Sequence, residues 1–115
     1  MPAPSPLSIS TGSVQRLLKE EASYHTELAE QQARAKALAT TKGEDEDGNA
    51  AFLLKQQRAV VEQTRAVFAP LRLRIDEAVA KLEEQLAAAE GEDSQDVASA
   101  RHVLELAGKA KAERG

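Results

Sequence analysis

A 3,4-spaced apolar stripe runs through the first third of the chain. Between residues 14 and 38, six of the eight positions at this spacing are apolar or aromatic: Val14, Leu17, Tyr24, Leu28, Ala35 and Leu38. Glu21 and Gln31 hold the other two. Residues at this spacing lie on one face of an α-helix and form a coiled-coil-like seam. The stripe therefore predicts a long first helix that packs through this face.

The second predicted helix, residues 50–89, contains a proline. Its apolar stripe keeps a 4,3 spacing up to Leu71 and then takes a 4,4 step to Ile75, and Pro70 lies inside that step. A proline within a helix removes one backbone hydrogen bond and usually bends the helix, at a cost of about 3 kcal/mol. No glycine or polar turn residue accompanies Pro70, so we expect one bent helix. Two helices divided near Phe68 are the alternative.

The remaining segments complete the predicted organisation. Three prolines in the first six residues favour a tail over residues 1–10, after which Thr11 or Ser13 could cap the first helix. Acid-rich loops separate the helices. We expect Asn49 to cap the second helix, and Ser94 or Asp93 to cap the third. The expected boundaries are helices at about 12–41, 50–89 and 94–108, with a frayed C-terminus at 109–115.

Helices joined by short loops run antiparallel to their sequence neighbours, so the predicted fold class is all-α. We expect an elongated antiparallel three-helix bundle with coiled-coil-like packing and a Pro-kinked middle helix. The chain has 115 residues but only three aromatic ones, so its core should be thin. In a thin core, Glu21, Gln31, Gln57 and Thr64 could lift their polar ends to solvent. On this interpretation Glu21 does not need to be buried.

The composition excludes several function classes. A net charge of −4 argues against nucleic-acid binding, because phosphate recognition needs a basic surface. No signal peptide and no apolar run of membrane-spanning length is evident, and the lack of cysteine is consistent with a reducing compartment. His25 and His102 are expected to be solvated flank residues. No catalytic group, metal site, cofactor or small-molecule ligand is expected, so binding another protein along the helical faces is the predicted role.

Five sequence segments, in this order, resemble the tubulin-binding cofactor A family. They are "TGSVQRLLKEEASY" at residues 11–24, "EQQA" at 30–33, the acid-rich loop before the second helix, Pro70, and "ARHVLE" at 100–105. The likeness covers about residues 9–107. It implies a three-helix chaperone that captures quasi-folded β-tubulin after chaperonin release and passes it towards αβ-tubulin heterodimer assembly, together with other tubulin-folding cofactors. A cytoplasmic, cytoskeleton-associated location follows from the same resemblance.

The resemblance also implies contact through helical faces. The candidate partner-binding residues are the charged side chains Arg16, Lys19, Glu20, Glu27, Glu30, Arg58, Glu62, Arg65, Arg72, Arg101 and Glu105. Tubulin is acidic and this chain is too, so we expect the basic residues among them to matter most. A generic coiled-coil or spectrin-like adaptor that bridges or dimerises other proteins is the alternative function.

Overall fold

The computed structural model describes residues 4–40, 48–89 and 94–114, and these ranges form three α-helices. Helix α1 spans Pro6–Ala39, α2 spans Asn49–Ala88 and α3 spans Gln95–Glu113. No strand occurs within the described ranges. The predicted all-α class with three helices is therefore confirmed. The predicted acidic loop at residues 44–47 lies outside the described residues.

The start of α1 corrects the predicted tail of residues 1–10. The helix begins at Pro6, because the Ser5 hydroxyl accepts a hydrogen bond from the Ser8 amide at 3.0 Å and so caps the first turn. Proline is well tolerated at the first helical position, where its missing N–H would have no helical partner. Leu7 is buried, which fixes this first turn against the core.

The predicted caps Thr11 and Ser13 lie inside α1. Each hydroxyl donates to the carbonyl oxygen four residues earlier, Thr11 to Leu7 at 2.8 Å and Ser13 to Ile9 at 3.2 Å. Bonds of this kind satisfy a hydroxyl within a helix without ending it. The prediction failed because Ser5 supplies an earlier cap.

Helix α2 is continuous through Pro70. One helix was the preferred prediction and is confirmed, while two helices divided near Phe68 is wrong. Gly48 precedes the helix with φ of +73°, a left-handed conformation that glycine adopts without strain. Its carbonyl oxygen accepts from the Phe52 amide at 3.3 Å, so the first helical hydrogen bond starts at Gly48.

Helix α3 starts as predicted and ends later. Ser94 is its cap, with φ −129° and ψ 162°, and its hydroxyl accepts from the Val97 amide. The predicted fraying after residue 108 is wrong, because the helix continues to Glu113. Its end is held by Arg114, whose guanidinium lies 3.9 Å from the Asp76 carboxylate and whose side chain is only 14% exposed.

The chain forms two compact units. Unit 1 comprises Met1–Glu20 and Leu71–Gly115, and unit 2 comprises Glu21–Pro70. Unit 1 therefore contains the start of α1, the end of α2 and all of α3. Unit 2 contains the remaining parts of α1 and α2.

An apolar cluster from all three helices fills unit 1. Its buried members are Leu7, Val14, Leu82, Val97, Ala100, Val103 and Ala107. The Ser5 hydroxyl donates to the Asp96 carboxylate at 2.8 Å, so α1 and α3 begin side by side. Leu7 lines a surface cleft with Gln85 near the end of α2, so α1 and α2 run antiparallel here. Unit 1 thus matches the predicted antiparallel packing of sequence neighbours.

Unit 2 is an antiparallel pair of helices. The rings of Tyr24 and Phe68 make a T-shaped contact, with centroids 6.3 Å apart, and Gln31 bonds to Thr64 further along α1. His25 stays exposed, as predicted, and its ring lies 4.6 Å from that of Phe68. Among the described residues, unit 2 has no third helix.

Replacing Pro70 by alanine should stabilise the protein. Pro70 is exposed, so the substitution removes little packing, and it restores the amide that donates to the Ala66 carbonyl of an α-helix. We expect the free energy of unfolding to rise by about 1–3 kcal/mol in urea denaturation. A fall of that size would mean that the proline stabilises the native packing.

Candidate binding surfaces

The polar residues of the predicted seam in unit 2 bond to one another. The Thr64 hydroxyl donates to the Gln31 side-chain oxygen at 2.6 Å, and the Gln57 amide donates to the Gln31 backbone carbonyl at 3.2 Å. Gln31 in turn donates to the Glu27 carboxylate at 3.1 Å. These side chains were expected to lift their polar ends to solvent. They instead join α1 to α2 through hydrogen bonds, and a satisfied polar network of this kind specifies how two helices pack.

Glu21 is buried, with 4% of its surface exposed. The expectation that its carboxylate would reach solvent is wrong. Position 21 falls on the inward stripe of α1, and a glutamate has only two methylene groups, so its side chain reaches less far than that of lysine or arginine. Burial of this carboxylate therefore follows from its place on the seam.

The predicted partner-binding residues are divided between the two units. Unit 1 carries Arg16, Lys19, Glu20, Arg72, Arg101 and Glu105, and unit 2 carries Glu27, Glu30, Arg58, Glu62 and Arg65. Nine of the eleven are exposed; Glu20 and Arg72 are half-buried. The structure therefore leaves nearly all of them accessible to a partner.

In unit 1, the accessible candidates lie on two helices. Arg16 and Lys19 are three residues apart and so share one face of α1, and Arg16 donates to the Ser13 hydroxyl at 3.4 Å. Arg101 and Glu105 are one turn apart on α3. Each pair offers an exposed polar strip on its helix.

In unit 2, Arg58, Glu62 and Arg65 form a charged strip on α2. The Arg65 guanidinium lies 3.8 Å from the Glu62 carboxylate, with side chains 54% and 71% exposed. An ion pair this exposed contributes little to stability. Its side chains are therefore available to form new ion pairs with a partner.

An open groove in unit 2 was not predicted. It has a volume of about 700 Å³ and is lined by α1 and α2 residues that include Arg34, Leu38, Leu53, Gln56, Val60 and Gln63. Leu53 was expected on the buried seam, yet it is 42% exposed, and the neighbouring Phe52 is 57% exposed. A signal existed in the sequence, because Phe52, Gln56, Ala59, Gln63 and Ala66 repeat at 4,3 spacing without a charge.

The described residues contain no group of three or more His, Asp or Glu side chains that could hold a metal ion. Within the same ranges, no helix is long and apolar enough to cross a membrane. The accessible features described above are charged helical strips and an open groove. These features, on an all-helical fold, are typical of helical proteins that bind other proteins.

Comparison with known proteins identifies the family. A family model described as "Tubulin binding cofactor A" matches residues 2–104. The chain belongs to the tubulin-binding cofactor A family. It is 32% identical over 102 residues to the tubulin-specific chaperone A of Saccharomyces cerevisiae, covering 89% of this chain and 90% of the relative. It also resembles the crystal structure of tubulin folding cofactor A from Arabidopsis thaliana, with a TM-score of 0.77, 27% identity and coverage of 90% and 92%.

The family assignment confirms the resemblance inferred from the five sequence segments. It supports a tubulin-folding chaperone role, which is non-enzymatic. The match to the plant structure supports the all-helical fold, at a coverage that includes most of both chains. The residues that contact a client remain predictions.

Removing the Thr64 hydroxyl should destabilise the helix pair of unit 2. Thr64→Val keeps the shape of the side chain but leaves the Gln31 oxygen without its 2.6 Å donor. We expect a loss of about 1 kcal/mol in the free energy of unfolding. Thr26→Val is the matched control, because Thr26 is exposed and bonds only within α1, to the Ala22 carbonyl. Equal losses in the two variants would contradict a role for the hydrogen bond between the helices.

Proposed function

We propose that the protein is a tubulin-folding chaperone whose client is β-tubulin. In this proposal it captures quasi-folded β-tubulin after release from the chaperonin and passes it towards αβ-tubulin heterodimer assembly, with other tubulin-folding cofactors as further partners. The observation that carries the proposal is the match of the family model across residues 2–104. A cytoplasmic, cytoskeleton-associated location belongs to the same proposal.

The surfaces of the chain support capture through helical faces. Charged strips on α1, α2 and α3 are exposed, and the ion pair between Arg65 and Glu62 can exchange partners at small cost. A quasi-folded client presents polar and apolar patches that change as it folds. Binding by several modest contacts over a large area suits such a client, since no single contact fixes it in one conformation.

Among the candidate partner-binding residues, the basic ones should contribute more to affinity for an acidic client than the acidic ones. The chain carries a net charge of −4, so its long-range interaction with an acidic client is repulsive and association depends on local complementarity. In this setting Arg16, Lys19, Arg58 and Arg65 supply the attractive contacts. The acidic candidates Glu27, Glu30, Glu62 and Glu105 then contribute to orientation more than to affinity.

Reversing the charge of either basic pair should weaken capture. We expect Arg16→Glu with Lys19→Glu, and separately Arg58→Glu with Arg65→Glu, to reduce affinity for β-tubulin at least tenfold, about 1.4 kcal/mol. The melting temperature should change little, because these four side chains are exposed. Sizing chromatography or native gels with added folding-competent β-tubulin provide the measurement.

Two controls accompany this experiment. Lys36→Glu with Lys55→Glu makes the same charge change at exposed positions outside the candidate set, and should keep capture within about threefold of wild type.

Replacing Glu44–Asp47 by glycine and serine should leave capture intact or slightly stronger. Loss of binding in the loop variant alone would show that the loop is the contact. A wild-type chain that fails to retain β-tubulin would favour the generic adaptor.

A further inference from the structure

The groove of unit 2 lies between α1 and α2 and is lined by residues of both helices. Two helices packed side by side form a groove along their contact, and a third helix can complete the packing. Unit 1 is completed in this way by α3, whereas the described part of unit 2 has only α1 and α2. The groove extends along α2 from Leu53 to Gln63, which is about 15 Å at 1.5 Å per residue. Three turns of a helix span that length.

The lining of the groove specifies the chemistry of its occupant. Leu38, Leu53 and Val60 provide an apolar floor, and Gln56 and Gln63 can exchange hydrogen bonds with polar side chains. Arg34 is the one charged side chain among the described lining residues. A segment that binds here must therefore have apolar side chains that pack on this floor and a carboxylate that pairs with Arg34. Without the carboxylate, the bound segment would cover the Arg34 guanidinium and leave it poorly solvated and unpaired.

We propose that this groove binds an amphipathic helical segment of the client, about ten residues long, with apolar side chains at i, i+3 and i+4 spacing and a Glu or Asp facing Arg34. The segment takes the place of a third helix in unit 2. This inference rests on the proposed chaperone function and deepens it, because it names the class of client segment and the part of the chain that holds it.

A second copy of the chain fits this site less well. In a two-fold symmetric contact centred on the groove, the same residues meet from both sides, so Arg34 would approach its own counterpart. The described lining residues offer no carboxylate to separate the two guanidinium groups. Charge complementarity therefore favours a client segment that carries an acid.

Paired substitutions test the two halves of the proposal. Arg34→Glu and Leu53→Gln should each weaken capture of β-tubulin at least tenfold. Lys36→Glu is the control for charge, because it lies two residues from Arg34 on α1 and does not line the groove. Leu73→Gln is the control for apolar surface, because Leu73 is 60% exposed and belongs to unit 1. Both controls should bind as wild type does, with melting temperatures matched across all four variants.

The absence of cysteine allows a direct test of the occupant. Gln56→Cys, labelled with a thiol-specific photocrosslinker in the full chain, should crosslink to β-tubulin, and mass spectrometry of the product identifies the segment. Gln32→Cys, also exposed on unit 2 but outside the groove, should give at least tenfold less product. A crosslinked segment that has the apolar spacing and an acid supports the proposal.

Four other outcomes would contradict the proposed binding of a client helix in the groove, and each points to a different explanation. If the groove variants keep full capture while reversal of Arg58 and Arg65 abolishes it, the groove is not the docking site and the proposed function stands. A crosslinked segment without an acid contradicts the pairing with Arg34. If sizing shows a dimer of the chain alone that Arg34→Glu disrupts, a second copy occupies the groove. A wild-type chain that captures no β-tubulin defeats the proposed function and this inference together.

Discussion

Helix α1 packs against α2 through a single stripe of side chains, and this contact determines which faces of the two helices stay exposed. All eight predicted stripe positions from residue 14 to residue 38 are buried or half-buried. Full burial of a valine or leucine contributes roughly 1.5–3 kcal/mol. Val14 is buried and Leu17, Leu28 and Leu38 are half-buried, so this face stabilises the pairing of the two longest helices. A helix that packs through a single stripe leaves its other faces exposed. Those faces carry the charged strips through which we propose that a client binds.

The same stripe has a different character in each unit. In unit 1 it contributes Val14 to an apolar cluster completed by α3. In unit 2 it contributes Gln31, which bonds to Thr64 and Gln57. Hydrogen bonds between such polar groups give less net free energy than apolar burial but specify the register of the helices. Segments with fewer buried apolar contacts open at lower free energy, so unit 2 should be the more adaptable of the two.

Much of this organisation could be predicted from the sequence, because the 3,4 spacing of apolar residues decides which helical face is buried. The continuity of α2 through Pro70 also followed, since no turn residues accompany the proline. Helix ends were harder. The cap at Ser5 is a local bond to the Ser8 amide, but the prolines on either side of Ser5 favoured a tail there. The ion pair of Arg114 with Asp76 depends on which chain segments meet in space. The burial of two stripe residues also differs from the prediction, because Glu21 is buried and Leu53 is 42% exposed. A stripe identifies a face, but the side chains that pack against that face decide how fully each position on it is covered.

Hydrogen exchange of the full chain, free and with captured β-tubulin, measures whether the groove of unit 2 takes up the client. In the free chain, backbone amides of α2 at residues 53–63 should exchange faster than those at residues 75–86, where α3 completes the packing. On capture, the amides at 53–63 should show the largest gain in protection. A gain confined to residues 75–86 and α3, with 53–63 unchanged, would show that the client does not occupy the groove of unit 2.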